Sequence, residues 1–113
     1  IRELCEKIFE IDPDHAGAHL IMGKMYRKLP GWKGGDIDKS LELLKRAVEL
    51  EPDYSGHYLA LANTKIEKKM YKEAAADLQK IIDDEDFRDK TQMGRDKASA
   101  KERLEKISKH IQE

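Results

Sequence analysis

A chain of 113 residues that is 40% charged and 39% hydrophobic, with three prolines, has the composition of one soluble helical domain. Its formal charge of −1 gives the molecule as a whole no electrostatic case for nucleic acid or anionic membrane as the main partner. The single cysteine, Cys5, excludes an internal disulfide and a cysteine-rich zinc site, and no run of about 18 apolar residues exists to cross a bilayer.

Residues 1 to 11 carry Leu4, Cys5, Ile8, Phe9 and Ile11 at helical spacing, and the pattern stops just before Pro13, where a helix is expected to end. The next helix is expected over residues 14 to 28, opened by Asp14, with Leu20, Met22, Met25, Tyr26 and Leu29 as packing candidates. Gly23 weakens such a helix by about 1 kcal/mol relative to Ala, so its place there predicts close approach of a second helix. The stretch LPGWKGGD, residues 29 to 36, reads as a loop of turn residues. Asp36 is a natural N-cap for a helix over residues 37 to 50, with Asp38 in the first turn favouring its positive end and Pro52 stopping it.

Asp53 is expected to open a helix over residues 54 to 68, built on Tyr58, Leu59, Leu61, Ala62 and Ile66. A tight turn at Lys69 and Met70 leads to a helix over residues 71 to 84, with Ala74, Ala75, Leu78, Ile81 and Ile82 inside. After the acidic run Asp83, Asp84, Glu85 and Asp86, one long helix over residues 89 to 112 is predicted. Its narrow stripe of Met93, Ala100, Leu104, Ile107 and Ile111 suits a terminal cap with one wet face, lying over Leu78 and Ile82.

The chain also matches itself. KIFEIDPDHAGAHLIM, starting at residue 7, overlays RAVELEPDYSGHYLAL, starting at residue 46, an offset of 39 residues. A second overlay sets Ser40, Leu44, Ala47 and Pro52 on Ala74, Leu78, Ile81 and Asp86 at an offset of 34, the period of a helix-turn-helix repeat. The five-residue difference falls in the glycine-rich loop. On this register residues 1 to 11 are the second helix of a repeat, so the intact protein is expected to extend upstream by at least one helix of about 20 residues.

The residues that carry the repeat resemble the tetratricopeptide family. Met22, Gly23, Tyr26, Leu44, Ala47 and Pro52 match its motif in one repeat, and Tyr58, Leu61, Ala62, Ala74 and Leu78 in the next. His19, Ser40, Lys65, Ile81 and Asp86 depart from it. The resemblance implies an all-α fold of helix-turn-helix repeats stacked as a right-handed superhelix with a long capping helix. It implies a single domain over residues 1 to 113: a truncated repeat at 1–11, a repeat at 14–50 with its insertion at 29–35, a repeat at 53–85 and the cap at 89–112. The segment LPGWKGGDIDKSLELLKRAVELEPDY is further similar to bacterial tetratricopeptide proteins with a glycine-rich insertion, including periplasmic subunits associated with TRAP transporters, and to eukaryotic microtubule-dynamics regulators with a related GGD segment. This implies a bacterial envelope or periplasmic setting, with the cytoplasm as alternative.

The function so implied is a protein-interaction scaffold whose concave groove takes a peptide or protein, acidic or with a free C-terminal carboxylate. An accessory subunit of an envelope solute transporter and a self-assembly module that docks through the N-terminal end are the rivals. In the family the first helix of each repeat lines the groove, which places Leu20, Lys24, Arg27 and Lys28 there from one repeat and Leu59, Asn63, Ile66 and Glu67 from the next. Trp32 serves equally as a packing anchor over the helix end or as an exposed contact.

Chemistry is sparse. His15 and His19 stand four apart near Asp12 and Asp14, a spacing open to zinc or nickel but common by chance, and His19 overlays the packing residue Tyr58. GAHLIMGKM, residues 17 to 25, lies inside a helix with Met25 where a phosphate loop needs a hydroxyl. Asp83, Asp84 and Glu85 read as a helix end rather than an acid–base pair. With no nucleophile motif, the expectation is no enzyme, no catalytic residue, no metal and no cofactor.

Overall fold

The computed structural model describes residues 1–111, and among them it holds six α-helices, one short 3-10 turn and no strand. The helices are α1 (Arg2–Ile11), α2 (Ala16–Lys28), α3 (Ile37–Leu50), α4 (Ser55–Glu67), α5 (Tyr71–Asp83) and α6 (Lys90–Ile111). Their starts keep the offsets of the sequence: α2 and α4 begin at residues 16 and 55, 39 apart, and α3 and α5 at residues 37 and 71, 34 apart. The chain divides into two compact units, Ile1–Pro52 and the part from Asp53 onward.

In the first unit α2 packs on α3 along its length and α1 packs on α2. Cys5, Ala18, Met22 and Tyr26 form the buried centre, with Ile8, Phe9, Met25 and Leu43 against them. The close approach predicted at Gly23 is present. A Cβ there would lie 2.6 Å from Leu44 Cγ and 2.7 Å from Leu44 Cδ2. Ser40, a departure from the family motif, uses the same intimacy: its hydroxyl donates to the Gly23 carbonyl at 2.6 Å in a buried bond.

Helix α2 begins two residues later than Asp14, because the cap is not an acid but His15, whose Nδ1 accepts from the Ala18 amide at 3.0 Å. Asp14 instead pairs with Arg46 at 3.0 Å. At α3 the expected cap holds, with Asp36 accepting from the Lys39 amide at 3.1 Å.

In the second unit α5 packs against α4 and α6, and α6 also reaches α4. The core is Ala62, Ala74, Leu78, Ile81, Ala100 and Ile107, with Ile82, Leu104 and Ile111 packed on it. The stripe of α6 therefore covers Leu78 and Ile82 as the spacing predicts, except that Met93 takes no part in the cluster. Helix α4 starts at Ser55 rather than one residue earlier, and Tyr54 before it supplies no side-chain cap. The helix start is held from elsewhere: buried Asp96 of α6 accepts from the Ser55 hydroxyl at 2.6 Å and from Gln92 at 2.9 Å.

The turn after α4 is closed by Lys69 at φ 63, with the Met70 amide on the Lys65 carbonyl and the Lys69 amide on the Ile66 carbonyl. The segment between α5 and α6 is not a bare linker, because Phe87 is fully buried with its ring edge-on to Tyr58, centroids 5.8 Å apart. Lys97 ends α5 by donating to the carbonyls of Ile81, Ile82 and Asp84 at 2.7, 2.7 and 2.8 Å.

Candidate functional site

The faces of α2 have separate duties. Met22 and Tyr26 turn to the centre of the first unit and Gly23 meets Leu44 of α3. That leaves a side on which Ile21, Met25 and Leu29 form one row in steps of four, beside a second row of Lys24 and Lys28. Together with Ile1 they line a hollow of about 310 Å³ whose walls are apolar and whose cations are these two lysines. Ile21 is 47% exposed, an unusual state for its residue type, and Ile1 and Leu4 of α1 stand out as well. Leu20 and Arg27 are half-buried and lie outside the lining of this hollow.

The loop after α2 is held by its own backbone. Amides of Lys33 and Gly35 both reach the Pro30 carbonyl, Gly34 reaches Gly31, and Asp36 reaches Tyr26, all within 2.9–3.1 Å. Gly34 has φ 94, and any Cβ on Gly35 would run into the Leu29 carbonyl oxygen. The loop is thus secured without Trp32. The indole does not pack over the helix end but is 82% exposed, with the Lys33 ammonium 4.9 Å from its ring centre. Four backbone hydrogen bonds do the work of the packing anchor that was one of the two readings of Trp32.

On α4 the expected contact residues are partly occupied by the second unit itself. Leu59 and Ile66 are half-buried against its core. The Asn63 side-chain oxygen accepts from Arg103 Nε of α6 at 2.6 Å, and Glu67 is exposed. Arg103, at a position the sequence reading passed over, is thus brought to the α4 face. Its only advance signal is a basic residue on the wet side of a capping helix. Ile1 and Ile21 of the hollow were likewise passed over, although the step of four from Ile21 to Met25 to Leu29 was there to read.

The titratable clusters have structural occupations. His19 donates from Nδ1 to the His15 carbonyl at 2.8 Å and sets its ring edge-on to Phe9, so both histidines are engaged in starting α2. Among the described residues no three His, Cys, Asp or Glu side chains gather as a metal site, and no helix is long and apolar enough to cross a membrane. Asp84 is held below the ordinary carboxylate range by its hydrogen bond from Lys80, with the Asp86 amide adding to the effect; the same bond holds Lys80 above its ordinary value. At the end of α5, Asp84 is tied to Lys80 and Glu85 to Lys97, while Asp83 accepts from the Gln79 side chain.

No family model and no solved structure matches the chain. A pentatricopeptide repeat-containing protein of Arabidopsis thaliana is 26% identical over 86 residues, covering 58% of this chain. The chain spans about 10% of the length of that relative. The distant similarity and the repeated helix offsets agree on a helical repeat protein.

Proposed function

We propose that the chain is a non-catalytic binding module, a helical-repeat scaffold of the tetratricopeptide kind that takes a partner protein on its first-helix faces and on the loop after α2. The observation that carries this reading is Trp32: an indole held 82% exposed on a loop whose backbone is already secured. Burying such a ring removes a large apolar area from water, and tryptophan is enriched among residues that dominate binding energy. Lys24, Arg27, Lys28 and Lys33 surround it in sequence with no acid between residues 24 and 33, so the partner suited to it is acidic or ends in a carboxylate. Asn63 and Glu67 on α4 are the polar readers of the second unit in this proposal, with Leu20, Leu59 and Ile66 as apolar support. Helical repeats also read nucleic acid, but the formal charge of −1 disfavours that class here.

The similarity of the GGD segment makes a role beside an envelope solute transporter the specific setting we favour testing first, with self-association as its competitor. The chain carries one tryptophan, so partner binding is readable directly. A captured partner should blue-shift Trp32 emission and shield it from acrylamide, and Trp32→Ala should weaken the complex at least about tenfold, worth about 1.4 kcal/mol. Lys24→Ala with Arg27→Ala should weaken it further and reduce its salt sensitivity. A partner that binds the Trp32→Ala chain at full strength and leaves the emission of the unaltered chain unchanged would remove this reading.

A further inference from the structure

We infer that Arg103, on α6, reads a carboxylate of the partner protein, and that Asn63 is the residue that aims it. This deepens the binding-module reading and rests on it, but not on Trp32. Among the described residues the half-buried cations of the second unit are Lys65, Lys97 and Arg103. Lys65 is paired with Asp77 at 2.7 Å, and Lys97 has Glu85 at 3.4 Å besides the three carbonyls that end α5. Arg103 differs. Its bonded partner among the described residues is the uncharged amide of Asn63, whose oxygen accepts from Nε at 2.6 Å. Taking a charge partly out of water has a cost that a neutral amide offsets poorly, so this guanidinium has a place for one negative charge.

The bond to Asn63 also decides which edge is offered. With Nε committed, the end of the guanidinium that carries Nη1 and Nη2 keeps its N–H donors, the planar fork that a carboxylate meets with both oxygens. Because Nε is held in advance, less side-chain freedom is lost when the ligand arrives. Asn63 shares its side of α4 with Leu59, four residues before it, and Ile66, three after, both half-buried against the core. Beside such apolar neighbours a charge-assisted bond is screened less than at an open surface.

A single cation sets the class of ligand. A carboxylate brings one negative charge, whereas a phosphate monoester brings about −1.5 to −2 and calls for a second cation. The next cation along α6, Lys106, is already held by Glu102 at 2.9 Å, which also occupies the acid that neighbours Arg103 in the chain. Glu67, one turn after Asn63 on α4, is exposed and works against a ligand of high negative charge. The side chain of an aspartate or glutamate and a chain terminus offer the same group, and the choice of probe separates them.

The test follows the arginine Nε–H signals of the full, isotope-labelled chain by NMR at low salt. N-acetylglutamate amide supplies a side-chain carboxylate and N-acetylalanine a terminal one, with inorganic phosphate and chloride as competing anions. Arg95, exposed on the same helix and without a bond among the described residues, is the internal control. One or both carboxylates should shift Arg103 saturably, at concentrations about threefold to tenfold below those that move Arg95, and the tighter of the two names the source. Arg103→Lys keeps the charge but loses the fork, so binding read at the Asn63 amide should weaken at least about threefold. Asn63→Asp gives Arg103 a carboxylate within the chain: probe binding should vanish while the urea midpoint holds or rises, a combination that misfolding cannot produce. Equal responses at Arg103 and Arg95 would mean general ion screening only and overturn the inference. Phosphate binding tighter than either carboxylate, or full carboxylate binding in the Asn63→Asp chain, overturns it as well. Failure here with a Trp32-dependent partner intact leaves the binding-module reading standing. Carboxylate binding at Arg103 beside a partner that ignores Trp32 separates the two in the other direction.

Discussion

Replacing Gly23 with alanine sets two effects of opposite sign against each other. By helix propensity alone, an alanine in the middle of α2 should stabilise the chain by about 1 kcal/mol. The packing says otherwise. The new methyl would sit 2.6 Å from Leu44 Cγ and 2.7 Å from Leu44 Cδ2, about 1 Å inside ordinary carbon–carbon contact, and Leu44 is fully buried with no solvent side to retreat to. Overpacking of this kind costs about 1–3 kcal/mol. Moving α3 away also stretches the 2.6 Å bond from Ser40 to the Gly23 carbonyl, a net loss of about 1 kcal/mol more. The sum favours destabilisation by about 1–3 kcal/mol. Urea unfolding followed by circular dichroism reads it as a lower midpoint at unchanged slope. Leu44→Ala alone should cost about 2–5 kcal/mol, and Gly23→Ala with Leu44→Ala should cost at least about 1 kcal/mol less than the two singly, because the truncated side chain makes room for the methyl. A Gly23→Ala chain more stable than the original would refute the close-approach argument.

Removing residues 89 to 113 should bare Leu78 and Ile82 and give aggregation or a melt without cooperativity; a monomeric truncation with an unchanged melting curve would show that α6 is not a cap. Lys69→Gly relieves a left-handed residue at the turn after α4 and should raise stability by about 0.5–1 kcal/mol in the same urea assay, despite the looser unfolded chain. For Asp84 the carboxyl is lowered below its ordinary 3.8, so its small stabilisation is present above that pH and lost as pH falls through the lower folded value. Asp84→Asn should therefore reduce the melting midpoint slightly at neutral pH and not at all once the pH lies below the folded value, and an equal drop at both would show another cause. Zinc or nickel should bind at no stoichiometric site in equilibrium dialysis, whereas His15→Ala should cost about 1 kcal/mol through the lost cap on α2; a one-to-one metal site lost with either His15 or His19 would reverse that account.

Helix number, order and offset were legible in the sequence because they rest on short-range rules. Apolar spacing of three and four, Asp36 as a cap and Pro52 as a stop act within a few residues of themselves. Gly23 was legible too, since a helix keeps a glycine only for a reason, and the reason was packing. What spacing does not carry is the distant partner. Ser40 and Lys65 look like blemishes in a repeat until the Gly23 carbonyl and Asp77, the latter 2.7 Å from the Lys65 ammonium, are brought to them. Asp96 reads as one acid among many on a charged helix, yet it ends buried on Ser55. The candidate surfaces divide the same way. Lys24 and Lys28 were picked out as residues lining a groove, but only the folded chain shows the hollow they line with Ile1, Ile21, Met25 and Leu29, and only the α4–α6 contact gives Asn63 to Arg103. Trp32 could be a prop or a contact from its sequence alone; tertiary structure decided, because the hydrogen bonds that secure the loop come from backbone groups whose positions α2 and α3 determine, leaving the indole in water.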